Sequence, residues 1–216
     1  MLKKYIANLF HEELSKIHKF KDIHKGEECY FFGNGVSLKW FELKEFSNKV
    51  SIGSSVLPFH NSYNDINLKY LMLTEPFWFY PNIYTKFFSK SVSQPHLSKA
   101  YRQVVKDNPD IEFFFNLSNL PVIRSHNVKY FFREIKDNRL PENFLSKKID
   151  CYNGSLRVAI LMAVYMGFDH VYLLGCDYTH NLSKSRHWYE KGQGVNLPHL
   201  NYEKEFFEIA KEFINC

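Results

Sequence analysis

Gly33-Asn34-Gly35-Val36-Ser37-Leu38 breaks an apolar run that starts at Glu28 and resumes with helical spacing through Trp40, Phe41 and Leu43. This order predicts strand, tight turn, helix. Gly33 and Gly35 can take backbone angles closed to other residues. The turn can then lift its amides toward a ligand at the helix N-terminus, where the dipole favours an anion. Phosphate is the natural guest. Asn34 could add a side-chain donor, and Ser37 a hydroxyl that either caps the helix or touches the same phosphate. A plain strand-to-helix connection would use the same residues, so a lone Gly-x-Gly leaves both readings open.

Four further places carry chemistry. Phe168-Asp169-His170-Val171-Tyr172-Leu173-Leu174-Gly175-Cys176-Asp177 reads as a central parallel strand that delivers Asp177 to its carboxyl end, where open α/β sheets bind ligands. There Asp177 could orient a histidine, bind ribose hydroxyls or cap the strand-end turn. Gly154 and Ser155 introduce an apolar helix over 156–166, closed by Gly167 as its C-cap, and this helix start is expected to share one crevice with the Gly33 turn. Glu75 stands at a strand's end because Pro76 forbids continuation of the ladder. Residues 177–199 are polar and loop-like, with Tyr178, Thr179, His180, Arg186, His187 and His199, and form a candidate lid. A histidine suits a general base because its ordinary pKa is near neutral, although surface or lid-packing histidines look the same in sequence.

No Asp-x-Asp occurs, so the carboxylate pair that usually holds a divalent cation beneath a nucleotide sugar is missing. That fits a metal-free reaction with no cofactor. The alternative is Mg²⁺ held between Glu75 and Asp177, in a reaction where ATP donates a diphosphate to an alcohol.

These groups need a sheet to position them. Strands are expected at 28–32, 49–53, 69–74, 111–116, 128–132 and 170–175, with helices between, which predicts one Rossmann-like α/β domain with a mainly parallel sheet spanning 1–216. The second strand runs into Gly53-Ser54-Ser55, another small-residue strand end. An amphipathic helix over residues 2–20 precedes the core and suits packing or assembly into a homo-oligomer; further helices are expected at 97–105 and 202–213. Phe77 to Ser91 is unusually aromatic, as a core segment or as a stacking platform. Arg124, His126, Lys129 and Arg133 surround the fifth strand as surface charge or as an anion site.

With 216 residues the chain can bury one substantial α/β core. No segment is long and apolar enough to span a bilayer, and Met1 is not followed by a signal-peptide layout, so a cytoplasmic location is expected, including the inner face of the membrane. The four cysteines make no Cys-x-x-Cys pair, which argues against a zinc knuckle or a disulfide framework. A net charge of +5, without aromatics and Arg gathered on one element, does not indicate nucleic-acid binding. It suits an anionic nucleotide donor or an acidic membrane face.

The Gly33 to Leu38 turn, together with Ser155, Gly167, Gly175 and Asp177 at matching spacing, resembles the bacterial sialyltransferases of glycosyltransferase family 42. The same framework is similar to a wider group of surface-polysaccharide and motility-associated proteins related to the archaeal 6-hydroxymethylpterin pyrophosphokinase, and Arg186-His187-Trp188-Tyr189 looks like the lid of that group. The resemblance implies an inverting, metal-independent transferase using a cytidine monophosphate sialic-acid-type donor. A glycan or lipid-linked saccharide would be the acceptor. It makes His199, the histidine before the last helix, the carried-over base, with His187 second. It puts Ser54 or Ser55 and Glu75 in the donor-contacting places where the family has asparagines, and Thr179 where it has a tyrosine. A nucleotide-binding or assembly protein without catalysis is the third reading.

Overall fold

The computed structural model describes residues 8–76, 78–80, 95–132 and 155–176. Six strands form one sheet: β1 Glu28–Phe32, β2 Ser51–Ser54, β3 Leu68–Leu73, β4 Glu112–Asn116, β5 Val128–Phe131 and β6 His170–Leu174. Their order is β5-β4-β3-β2-β1-β6, and every neighbouring pair is parallel. The α-helices are α1 His11–Ser15, α2 Pro95–Asp107 and α3 Ser155–Met166. The chain thus has the Rossmann-like α/β fold expected, with strand limits within two residues of the sequence reading.

Strands covered on both faces need apolar residues in near-continuous runs, and β3, β4 and β5 supply them. Alternate side chains then serve opposite layers. Phe31, Ile52, Met72, Phe114 and Phe131 pack on one face with α3, while Phe32, Leu71, Phe113, Phe115 and Tyr130 pack on the other with Tyr101 and Val105 of α2. α3 is apolar almost all round and buried accordingly. It ends where Gly167 takes φ +88°, with Gly167 N–H donating to Val164 O at 3.0 Å and Phe168 N–H to Ala163 O at 3.1 Å. The amides of Asp22 and His24 satisfy the next two carbonyls, Tyr165 and Met166. The last turn of α3 therefore fixes the turn that leads into β1.

Two expected helices take other forms. The segment after β1 is two short 3-10 turns, Val36–Trp40 and Leu43–Phe46, separated by Phe41 in extended conformation. The helical spacing ran through Trp40 and Phe41, but they are 78% and 43% exposed, whereas Leu38 and Leu43 are buried. At the N-terminus α1 passes into a 3-10 turn, Lys16–Phe20, and Leu14, Ile17 and Phe20 are buried at a spacing of three while Leu9 is exposed. The expected helix at 202–213 lies outside the described residues, as do Arg133 and most of the aromatic segment 77–91.

Candidate functional site

A row of polar side chains crosses the carboxyl ends of β1 to β4. Asn34 follows β1, Ser54 and Ser55 end β2, Thr74 and Glu75 follow β3, and Asn116 ends β4. Each lies within the first two polar positions at the end of its strand, so the strand that fills the core also sets its position. Ser54 Oγ donates to Asn34 Oδ1 at 2.8 Å, and Asn34 Nδ2 reaches Ser55 Oγ at 3.5 Å. Thr74 Oγ1 lies 3.4 Å from Ser155 Oγ at the start of α3, joining that helix N-terminus to the row. Asn116 Nδ2 approaches Thr74 O at 3.5 Å, and Asn119 Nδ2 donates to Glu75 O at 3.1 Å. Ser54, Ser55, Thr74, Asn116 and Asn119 are buried, whereas Asn34, Glu75 and Ser155 are half-buried. The first five position the row; the other three can meet a ligand.

The glycines do something other than expected. Gly33 N–H donates to Leu174 O and Gly35 N–H to Gly175 O, both at 2.7 Å, so the two amides aimed at a phosphate are engaged by β6 and the residue after it. Neither glycine has positive φ, and Gly35 sits at φ −70°. Gly33 is required for proximity: a Cβ there would lie 2.3 Å from Gly175 O. β1 is where strand order reverses, and in such sheets the crevice at the reversal is the usual ligand site. Here main chain closes β1 against β6 at that point, and the polar row lies over β1 to β4 instead.

The anion-attracting dipole also moves. The 3-10 turn after Gly35 is too short to carry one, and its N-cap position is Gly35, not Ser37. α3, with 12 residues, is long enough, and Ser155 is its first residue. Arg157, in the first turn of α3, is 4% exposed and brings a guanidinium inside the protein. One carboxylate oxygen of Glu75 is enclosed by protein, and its charge adds to burial in raising the pKa of Tyr101 far above the ordinary phenol value. Among the described residues, no three His, Cys, Asp or Glu side chains are grouped to hold a metal ion, and Cys29 and Cys176 form no disulfide.

The structure thus brings Asn34, Ser54, Ser55, Glu75 and Ser155 together, with Gly33 and Gly35 holding the turn. Gly154, Asp177, Tyr178, Thr179, His187 and His199 lie outside the described residues. Sequence reading missed Thr74, Asn116, Asn119 and Arg157. The first two are polar residues that close apolar runs, a signal that was open in the sequence, and Arg157 is the one charge in an otherwise apolar helix. The chain matches no family model, and no curated protein or solved structure matches it.

Proposed function

We propose that the chain is a glycosyltransferase that takes a nucleotide-activated sugar, of the cytidine monophosphate sialic-acid type, and passes the sugar to a glycan or lipid-linked saccharide. The observation that carries this is the row of neutral donors from Asn34 to Ser155 at the carboxyl ends of parallel strands, beside the N-terminus of α3. Hydroxyls and a carboxamide suit a leaving nucleoside monophosphate because they stabilise growing charge without a cation. In this reading the phosphate lies between Asn34 and the start of α3. The acceptor hydroxyl loses its proton to His199, and Asp177 orients that base or binds ribose. The resemblance of the 33–38 turn and of the 155–177 spacing supplies the donor class.

Calorimetric titration of the full chain tests it. Cytidine monophosphate should bind without a divalent cation, and Asn34→Ala should weaken it about tenfold, the order expected for one hydrogen bond to a charged group. His199→Ala should lower turnover on the order of a hundred- to ten-thousand-fold while leaving nucleotide affinity nearly unchanged. Binding of ATP only with Mg²⁺ would replace this reading with a pyrophosphokinase. Binding of no nucleotide would leave a non-catalytic homologue.

A further inference from the structure

At the opposite, amino end of the sheet, two hollows flank the segment Arg124-Ser125-His126. One, of about 630 Å³, is lined by Lys16, Lys19, Lys129 and Glu13 together with that segment; the other, of about 480 Å³, by Arg102, Lys106 and the same three residues. Both volumes fall within the ~300–1,000 Å³ usual for ligand sites. Among the described residues, the second hollow has no acidic side chain in its wall. In the first, Glu13 faces Lys16 at 2.8 Å, and beneath it Glu112 is shared between Lys19 at 2.6 Å and Lys129 at 2.8 Å. Cations remain in excess.

The shared wall is pinned in place. Lys129 Nζ donates to His126 O at 2.5 Å, Tyr130 Oη to Ile123 O, Val128 N–H to Ser125 O at 3.1 Å and Ser125 Oγ to Asn127 Oδ1 at 2.6 Å. Arg124 Nε donates to Leu120 O at 3.2 Å, which steadies an otherwise exposed guanidinium. Lys129 is itself 5% exposed, so a buried ammonium forms part of the site. Arg102 is held by Phe79 O and Val122 O and lies over the Phe79 ring, and it lends charge to the wall.

We propose that these paired hollows bind an anion carrying two or more phosphoryl groups, one group to each hollow, with Arg124 between them. A single phosphate would use only one hollow. A nucleic-acid strand fits less well, because bases stack best on exposed Phe, Tyr or Trp faces, and among the described residues the one such ring in either wall, Tyr130, is 2% exposed. This site lies across the sheet from the Asn34 row and does not depend on the reading given to that row.

Calorimetric titration of the full chain with inorganic tripolyphosphate tests the proposal. Saturable binding is expected, with orthophosphate at least about tenfold weaker and Arg124→Ala weaker on the order of tenfold, since a charge-assisted hydrogen bond is lost. Lys106→Glu, at an exposed position away from the pinned wall, should weaken it by a similar factor and guards against loss of wall geometry alone. In Asn34→Ala the component of binding that depends on Arg124 and Lys106 should remain. Vesicles containing phosphatidic acid, against plain phosphatidylcholine, show whether the phosphoryl groups belong to a lipid surface: sedimentation with the former that is lost in Lys106→Glu supports a lipid source, and its absence beside tripolyphosphate binding supports a soluble one. The proposal fails if neither tripolyphosphate nor the acidic vesicles bind. It also fails if Asn34→Ala abolishes binding while the Arg124 and Lys106 variants retain it, or if only RNA is bound.

Discussion

At the carboxyl ends of the strands the polar groups inside the protein are mainly neutral hydroxyls and carboxamides, with Thr74 and Ser155 3.4 Å apart and Asn34 and Asn116 reaching their neighbours at 3.5 Å. At the amino ends they are charged or in short contact: Lys19 and Lys129 lie 2.6 and 2.8 Å from Glu112, and His24 joins Glu27 at 2.9 Å to the Tyr70 hydroxyl at 2.6 Å. Burial first, and then the nearby carboxylates, push the Tyr70 pKa up to about 12, so its hydroxyl stays protonated beside the imidazole. Long contacts between neutral groups are weak, and a ligand oxygen can displace them at little cost. The contact of Glu112 with Lys129, which is 5% exposed, is costly to rearrange because it would leave a buried ammonium without its anion. One end can therefore be remodelled by a ligand, whereas at the other the charges fix the protein's own wall first and meet a ligand only with what is left over.

The largest effect should come from the closed seam between β1 and β6. In Gly33→Ala the new methyl would meet the Gly175 carbonyl oxygen at 2.3 Å and its carbon at 2.9 Å, both main-chain atoms. Relief requires the strands to part, which breaks the two 2.7 Å hydrogen bonds of Gly33 and Gly35. A loss of about 3 kcal/mol or more in denaturant unfolding is expected. If Gly33→Ala unfolds like the parent, the seam is looser than its geometry and a ligand could enter there after all.

Next is the charged end. Glu112→Gln leaves Lys129 buried without its anion, for an expected cost of about 2–3 kcal/mol at neutral pH, below the full value of a wholly buried pair. Burial opposes the ionisation of Glu112, but the two lysine ammoniums outweigh it and hold its pKa below the usual 4.5. A carboxylate with a lowered folded pKa contributes stability that is complete above its unfolded pKa. That contribution is lost as pH falls through the folded value. The gap between parent and Glu112→Gln should therefore be full at pH 6 to 7 and shrink below about pH 4.5 in melts across the acid range. A gap independent of pH would mean that packing, not charge, holds this end.

How much of this could be read from residues alone divides along the same line. The strands were legible because a buried parallel strand must be apolar nearly throughout, and Phe113-Phe114-Phe115 admits little else. Gly167 was legible as a helix end because its left-handed backbone is one that glycine adopts without strain. The role of Gly33 was not, because it depends on Gly175, distant in sequence and placed opposite only by the pairing of β1 with β6. The helix after β1 was misread because Trp40 and Phe41 fit a helical spacing although both are exposed. Glu75 was found and Thr74 passed over, although the carbonyls of both are met by asparagines of the β4 end. The anion character of Arg124, His126 and Lys129 stood open in sequence, since a cavity needs Lys16 and Lys19 from a segment a hundred residues away to complete it.

At the neutral end, Asn34→Ala removes the 2.8 Å bond from Ser54, which is buried, and should cost about 1 kcal/mol of stability apart from its effect on nucleotide affinity. Asn34→Asp keeps an acceptor for Ser54 but loses the donor to Ser55, so it should restore stability without restoring affinity for an anion. Equal recovery of both would assign Asn34 to the fold alone.

Gly53→Ala should have the smallest effect, and it separates crowding by main chain from crowding by side chains. A Cβ at Gly53 would meet Leu57 Cδ2 at 2.7 Å and Leu68 Cδ1 at 3.0 Å, the far ends of flexible side chains instead of a carbonyl. Small rotations can yield those tenths of an ångström, although Leu57 is fully buried and its shift costs something. Against this, alanine lowers the entropy of the unfolded chain, which favours folding by roughly 0.4–1 kcal/mol where the backbone allows it, and Gly53 has no positive φ to forbid it. The two terms nearly offset, so a net loss of about 1 kcal/mol or less is expected beside the much larger loss from Gly33→Ala. Equal losses for the two variants would show that β2 is packed as rigidly as the β1 and β6 seam. The carboxyl end would then lack the give that a ligand needs.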